Sequence, residues 1–313
     1  MLNFTVGPVM SKADVLEIGG QSSPYFRTTE FSNVMLENER LMLDFLNAPA
    51  DSRCIFLTTS GTGAMESCVM NLLGHDDKAI VINGGSFGQR FVELCELHDR
   101  KYTEIKCEFG RQIKAKQLEK YSGCGYTTLL VNMGETSSGT LYDMQLIADF
   151  CHREHIFLIV DAISSFIADE LDMSALGAGA VITGSQKALA VHPGIALVAL
   201  SPEALERVNR NDEICMYLSM KRALKNGDRG QTPFTPAVTT LLEINARLKG
   251  LKIAGGVAIE HKLIVQRSIE FRKFIRCMPK SPFEFVSESM SNAVTSLHPK
   301  NVSATSIFNT MKE

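Results

Sequence analysis

Three short stretches of this sequence place reactive side chains just beyond apolar, strand-like runs. The first is Ser60-Gly-Thr-Gly-Ala-Met-Glu66, a glycine-bearing turn that opens a helical pattern in which Met65, Cys68, Val69 and Leu72 share one face. A helix start offers free backbone N–H groups and the positive end of the helix dipole, and glycines let an anion come close. A tight strand-to-helix turn with no ligand would use the same residues. The second is Asp161, which ends the run His155-Ile-Phe-Leu-Ile-Val-Asp161. A carboxylate at the C-terminal end of a central parallel strand sits where α/β sheets place ligands. Burial there is costly unless a cation or strong donor faces it, so Asp161 calls for a protonated partner, or else caps the next helix. The third is Lys187 in Gly184-Ser-Gln-Lys187-Ala-Leu, which follows Ala180-Val-Ile-Thr183. Burial disfavours the ammonium, and a lysine so perturbed can condense with an aldehyde. A surface lysine that snorkels into water is the other reading.

The elements that must position these groups are legible from apolar periodicity. Strands are expected at 54–59, 79–83, 127–133, 156–161, 180–183 and 195–200, with helices at 64–73, 88–98 and 141–154 between them. Leu141, Met144, Ile147, Ala148 and Cys151 recur at helical spacing. Short apolar strands alternating with amphipathic helices predict an α/β fold with a mainly parallel sheet. Residues 1–15 read as an extended N-terminal arm and 16–250 as the large domain. Gly255-Gly256 precedes a long helical run, Val257 to Ile275, so 251–313 reads as a smaller C-terminal domain.

Bulk properties narrow the function further. A length of 313 residues suits one large core with an appendage. Apolar and charged contents of 45% and 21% are those of an ordinary globular chain. A net charge of -3, with Lys and Arg dispersed, supplies no basic stripe for nucleic acid, so no nucleic-acid partner is expected. No run approaches the roughly 20 apolar residues of a membrane span and no secretory leader is visible, which reads as a cytoplasmic protein without a membrane partner. The eight cysteines form no C-x-x-C pair and are read as reduced, mostly buried thiols, leaving no metal site.

The order phosphate-type turn, strand-end Asp, shielded Lys resembles the pyridoxal 5'-phosphate (PLP) enzymes of fold type I. From Phe4-Thr-Val-Gly-Pro8 to about Pro236 the chain resembles class V aminotransferases of the alanine-glyoxylate, serine-pyruvate and 2-aminoethylphosphonate-pyruvate group. The resemblance implies a mainly parallel seven-stranded sheet between helices, with a smaller α+β domain. It makes Lys187 the Schiff-base lysine and Asp161 the partner of the pyridine nitrogen, a charge that turns the ring into an electron sink. Thr62, Gly63 and Ala64 inherit the phosphate-binding turn, and Gln186 a further phosphate contact. Phe87, in Asn83-Gly-Gly-Ser-Phe-Gly-Gln-Arg90, matches the aromatic residue stacked on the ring. Thr136, in Gly134-Glu-Thr-Ser-Ser-Gly139, matches a hydroxyl contact, with Met133 where the family carries His. Thr232, in Gly230-Gln-Thr-Pro-Phe-Thr-Pro236, matches a hydroxyl that reaches the neighbouring subunit's phosphate, implying a homodimer.

The activity so implied is transamination between a small amino donor of the alanine or serine type and a 2-oxo acid, glyoxylate or pyruvate. Transamination of 2-aminoethylphosphonate with pyruvate is the first alternative, and a degenerate, weakly active homologue the second. The family's C-terminal arginine, which forks onto the substrate carboxylate, has no counterpart after Arg276, and the small domain is expected to be incomplete. Arg27 in Tyr25-Phe-Arg-Thr28 is the nearest substitute.

Overall fold

The protein is described here by a computed structural model covering residue 3 and residues 5–312. Met1, Leu2, Phe4 and Glu313 lie outside the described residues, so the arm and the C-terminal segment are observed without them. The arm is extended only to Lys12, where helix α1 (Ala13–Gly19) begins. Helix α2 (Thr29–Phe45) follows, its first turn capped by the Thr28 side chain, which accepts from the Phe31 N–H.

The large domain then alternates strand and helix. Strand β1 (Arg53–Leu57) leads to α3 (Gly61–Leu72), β2 (Lys78–Asn83) to α4 (Ser86–Leu97), and β3 (Lys101–Lys106) to the short α5 (Ala115–Leu118). Strand β4 (Thr128–Asn132) runs into a small hairpin of β5 (Gly134–Glu135) and β6 (Thr140–Leu141). Helix α6 (Met144–Glu154) returns the chain to β7 (Phe157–Asp161), and β8 (Ala178–Gly184) and β9 (Ala196–Leu200) complete the sheet. The seven strands lie in the order β1, β9, β8, β7, β4, β2, β3. Strand β9 is antiparallel to both its neighbours and every other pairing is parallel, so the sheet is mainly parallel as expected.

Alternation along these strands divides the core between two faces. Ile80 and Ile82 of β2, with Leu197 and Ala199 of β9, join one cluster, while Ala79, Val81, Ala196 and Val198 join the other. Helices α3 and α4 cover the second face through Met65, Cys68, Val69 and Phe91. Helices α2 and α6 cover the first, with α9 (Val238–Ile253) packed on α1 and α2. Before α9 come α7 (Pro202–Arg210) and α8 (Met220–Gly227). The sheet is thus buried on both sides, which is why its strands read as continuous apolar runs.

Helix α9 passes through residue 250 to Ile253, and Gly255 and Gly256, both at positive φ, separate it from the next helix. Helix α10 (Val257–Cys277), a hairpin of β10 (Phe283–Phe285) and β11 (Leu297–Pro299), and α11 (Ala304–Lys312) follow. Strand β3 lies at the sheet edge, and its sequence Lys-Tyr-Thr-Glu-Ile-Lys offered too little apolar character to be expected. Helix α6 starts later than expected because the Asp143 side chain caps it at the Leu146 N–H and Leu141 belongs to β6. Among the described residues no helix is long and apolar enough to cross a membrane. Cys54, Cys68, Cys95 and Cys151 are buried, whereas Cys124 and Cys277 are exposed.

Candidate active site

The C-terminal ends of β4, β7 and β8 meet above the middle of the sheet, and each supplies one polar residue or loop. Asn132 and Asp161 are register partners at the last positions of β4 and β7. The Asn132 amide donates to Asp161 Oδ2, and the Ile163 N–H donates to Oδ1 at 2.8 Å. Asp161 is only 5% exposed. Burial pushes its carboxyl up to about 6, with Glu135 adding to the rise, against the opposing pull of the Ile163 and Asn132 donors and the Arg90 charge.

Three residues beyond β8, Lys187 faces the same cavity as Asp161, which has a volume of about 320 Å³. Desolvation holds the Lys187 ammonium below the usual lysine range, partly offset by the charge of Asp161. Its Nζ donates to the Val6 carbonyl at 2.9 Å, so the N-terminal arm closes one side of the site. The arm is itself fastened by the Val9 N–H, which donates to the Gln186 carbonyl at 3.1 Å. Gly7 is required at this crossing. Its φ is +145°, and a Cβ there would lie 2.8 Å from Lys187 Cδ and 2.9 Å from Nζ.

Helix α3 brings an anion site to the opposite wall. Ser60 is its N-cap residue, yet the serine side chain caps nothing. The first intrahelical bond runs from the Ala64 N–H to the Ser60 carbonyl at 3.3 Å, which leaves the amides of Gly61, Thr62 and Gly63 at the uncompensated helix start. A side chain at Gly61 would collide with Ile163, so glycine lets the turn pack against the loop that leaves Asp161.

Helix α4 supplies Phe87 and, one turn on, Arg90. The Arg90 guanidinium lies 4.7 Å from the Phe87 ring centroid, and its Nη1 donates to Thr62 Oγ1 at 2.7 Å. Glu135 orients this helix: its carboxylate accepts from the Phe87 N–H at 3.2 Å and the Gly88 N–H at 3.0 Å, favourable at a helix N-terminus.

The cavity therefore brings together Lys187, Asp161, Thr62, Phe87, Thr136 and Gln186 of the expected residues. Gly63 and Ala64 do not line it, and the Ala64 N–H is already used within α3, whereas Gly61 and Thr62 do line it. Thr232 lies elsewhere on the chain, beside Phe56 and Gly230, with its hydroxyl donating to the Phe234 carbonyl at 2.8 Å. Arg27 is no substitute carboxylate partner, because its guanidinium is spent on Gln231 Oε1 and the carbonyls of Thr232 and Pro233. Sequence reasoning missed Arg90, Asn132 and the contact of the expected arm with Lys187. Arg90 was legible as the residue one helical turn after Phe87, and Asn132 as the polar end of an otherwise apolar strand.

A buried carboxylate with no cation bonded to it, a lysine across the cavity and an uncapped helix start fit a cofactor carrying an aldehyde, a basic ring nitrogen and a phosphate. Residues 19–253, three quarters of the chain, match the family described as Aminotransferase class-V. The chain belongs to that family. Class-V aminotransferases are PLP-dependent enzymes of fold type I, and PLP is the cofactor of this one. Among relatives of this class-V aminotransferase, the soluble hydrogenase 42 kDa subunit of Anabaena cylindrica is 29% identical over 293 residues, covering 92% of this chain and 75% of that protein. The L-aspartate–glyoxylate aminotransferase of Paracoccus denitrificans is 27% identical over 208 residues, 64% of this chain and 52% of that protein. Among solved structures, a subgroup IV aspartate aminotransferase from Thermus thermophilus superposes with a TM-score of 0.90 at 26% identity, over 98% of this chain and 85% of that one.

Proposed function

We propose that this class-V aminotransferase transfers an amino group from a small donor of the alanine or serine type to glyoxylate or pyruvate. The observation that carries the reading is the placement of Lys187 and Asp161 on one cavity at the C-terminal edge of adjacent strands. When bound, PLP supplies an electron-accepting ring conjugated to a carbon that exchanges amino groups.

The chain's own residues divide the work around it. Lys187 would hold the cofactor's aldehyde through Nζ, whose ammonium form burial disfavours. With PLP bound, the Lys187 amine would also be the base placed to take a proton from the donor's α-carbon. Asp161 pairs with the protonated ring nitrogen, and Asn132 and the Ile163 N–H fix its carboxylate in position. The free amides of α3, with Thr62 and Gln186, receive the phosphate, and Arg90 adds a positive charge bonded to Thr62. Phe87 would lie against the ring, and Thr136, just after β5, would close another side. Arg90 is also the one arginine lining the cavity, so it is available to the anionic end of a substrate. We place the protein in the cytoplasm as a homodimer, in which Thr232, remote from its own cavity, reaches the neighbouring site.

The test pairs spectroscopy with turnover. The wild type reconstituted with PLP is expected to show a borohydride-trappable bond to the cofactor that Lys187→Ala lacks. Alanine, serine and 2-aminoethylphosphonate are then supplied in turn with glyoxylate or pyruvate. Turnover with 2-aminoethylphosphonate alone would move the assignment to the phosphonate donor, and absence of a trappable bond in the wild type would end it.

A further inference from the structure

A second cavity lies on the opposite edge of the sheet. It has a volume of about 430 Å³, and its walls come from the segments that enter the parallel strands: residues 74–77 ahead of β2, Arg100 ahead of β3 and Thr127 ahead of β4. Two arginines near this edge are equally buried, each 7% exposed, and they are treated differently by their surroundings.

Arg207 is fully engaged. It donates to Asp77 Oδ1 at 3.2 Å, to Glu203 at 3.3 Å and to the Thr127 carbonyl at 3.3 Å, and it covers the Phe157 ring at 4.2 Å. Asp77 is consumed in turn, since it also accepts from the Thr127 hydroxyl at 2.6 Å and the Gly74 N–H at 2.7 Å. Both oxygens of that carboxylate are thus engaged, and neither bonds Arg100.

Arg100 has no such partner. Its Nε is enclosed without an acceptor, and among the described residues no carboxylate or carbonyl bonds any part of its guanidinium. A buried cation that lacks an acceptor is unfavourable, and a guanidinium fork is complementary to a carboxylate or a phosphate. The same cavity is lined by Arg210 and the amide-bearing Asn211, by the carboxylates of Asp76 and Asp212, neither of which bonds Arg100, and by apolar Leu73 and Ile214, which suit the carbon skeleton of a small metabolite.

We propose that this cavity binds a small organic oxyanion, with the Arg100 guanidinium as its anchor and Arg210 at the rim. The site is independent of the cofactor cavity and of the assigned activity. The shared recognition chemistry is a carboxylate or phosphate head on a small apolar body, and two probes separate the sources.

The PLP-loaded chain is titrated calorimetrically with inorganic phosphate and, separately, with succinate, while the cofactor absorbance is followed. Saturable binding of one probe with unchanged absorbance locates the event away from the PLP site and identifies the head group. Loss of one charged hydrogen bond is expected to weaken that probe about tenfold to a hundredfold in Arg100→Met. Without ligand, the same variant is expected to melt no lower than the wild type, because the residue has no partner to lose. Arg210→Gln, at the exposed rim, keeps the test open if Arg100→Met does not fold: weakened probe binding there supports the site. Wild-type binding of neither probe at millimolar concentration overturns the proposal. So does undiminished binding in whichever variant folds, or a lowered melting temperature in ligand-free Arg100→Met.

Discussion

Asp161 and Asp77 are both nearly buried carboxylates on the same sheet, one at each edge, and they titrate in opposite directions. Asp161 is pushed up to about 6, whereas Asp77 is held below the ordinary aspartate value. Desolvation raises both and is the largest influence on each. At Asp77 it is outweighed by Thr127, the Gly74 N–H and the Arg207 guanidinium, whereas at Asp161 two neutral donors do not suffice. Two things set the directions apart: Asp161 is the more deeply enclosed, and of the two only Asp77 has a guanidinium bonded to it. Asp77 closes a network with Arg207, and Asp161 has no bonded cation, which fits the proposed pairing with the cofactor's ring nitrogen.

The sharpest way to break this contrast is to delete the structural carboxylate. Asp77→Ala leaves the buried Arg207 with only the exposed Glu203 as countercharge, and is expected to cost about 3 kcal/mol in chemical denaturation while turnover per folded molecule stays near wild type. A stability loss within error of zero would mean that the pair is not a structural one.

Asp161→Asn should show the reverse profile. Removing the ring partner is expected to lower kcat/KM for transamination about 10²–10³-fold, with no loss of apoprotein stability. Steady-state kinetics beside thermal melts of the apoprotein read both halves.

The pH dependence sharpens the same point. The folded-state pKa of Asp161 is raised from 3.8 to about 6, so the apoprotein binds more protons than the unfolded chain between those values. Its stability should therefore fall as pH rises from about 4 to about 6, by an amount of the order of 3 kcal/mol from this one group. Asp161→Asn should flatten that slope. For Asp77 the sign is opposite: its lowered pKa gives stability that is present above the ordinary aspartate value and lost as pH falls through the folded one.

The smallest effect is expected at the support for Phe87. Glu135→Gln keeps the shape but removes the charge at the start of α4, and should cost about 1 kcal/mol with a modest loss of PLP affinity, read by fluorescence titration. An unchanged PLP affinity would show that Phe87 keeps its place without Glu135.

Much of this was visible before any coordinates. Each of the six expected strands is found within two residues of its expected ends, because a sheet covered on both faces demands nearly unbroken apolar runs. Lys187 and Asp161 were legible because each stands at the end of such a run, where a polar residue is out of place unless it serves a site. Strand β3 was not legible, since an edge strand exposed on one side tolerates lysine, threonine and glutamate. Arg90 and Arg100 were overlooked for a common reason. A sequence shows that an arginine is present but not whether an acceptor meets it.

The chain order of turn, carboxylate and lysine, together with the apolar rhythm around them, determined from sequence alone the α/β class and the residues set to meet a cofactor. Only the tertiary structure decided that the arm's Gly7 lies against Lys187, that Asn132 and Ile163 hold Asp161 from two sides, and that Thr232 lies away from its own cavity. Those facts depend on contacts between segments far apart in the chain. Burial and countercharge are properties of the assembled neighbourhood, and periodicity along one strand or helix does not encode which distant residue arrives to complete it.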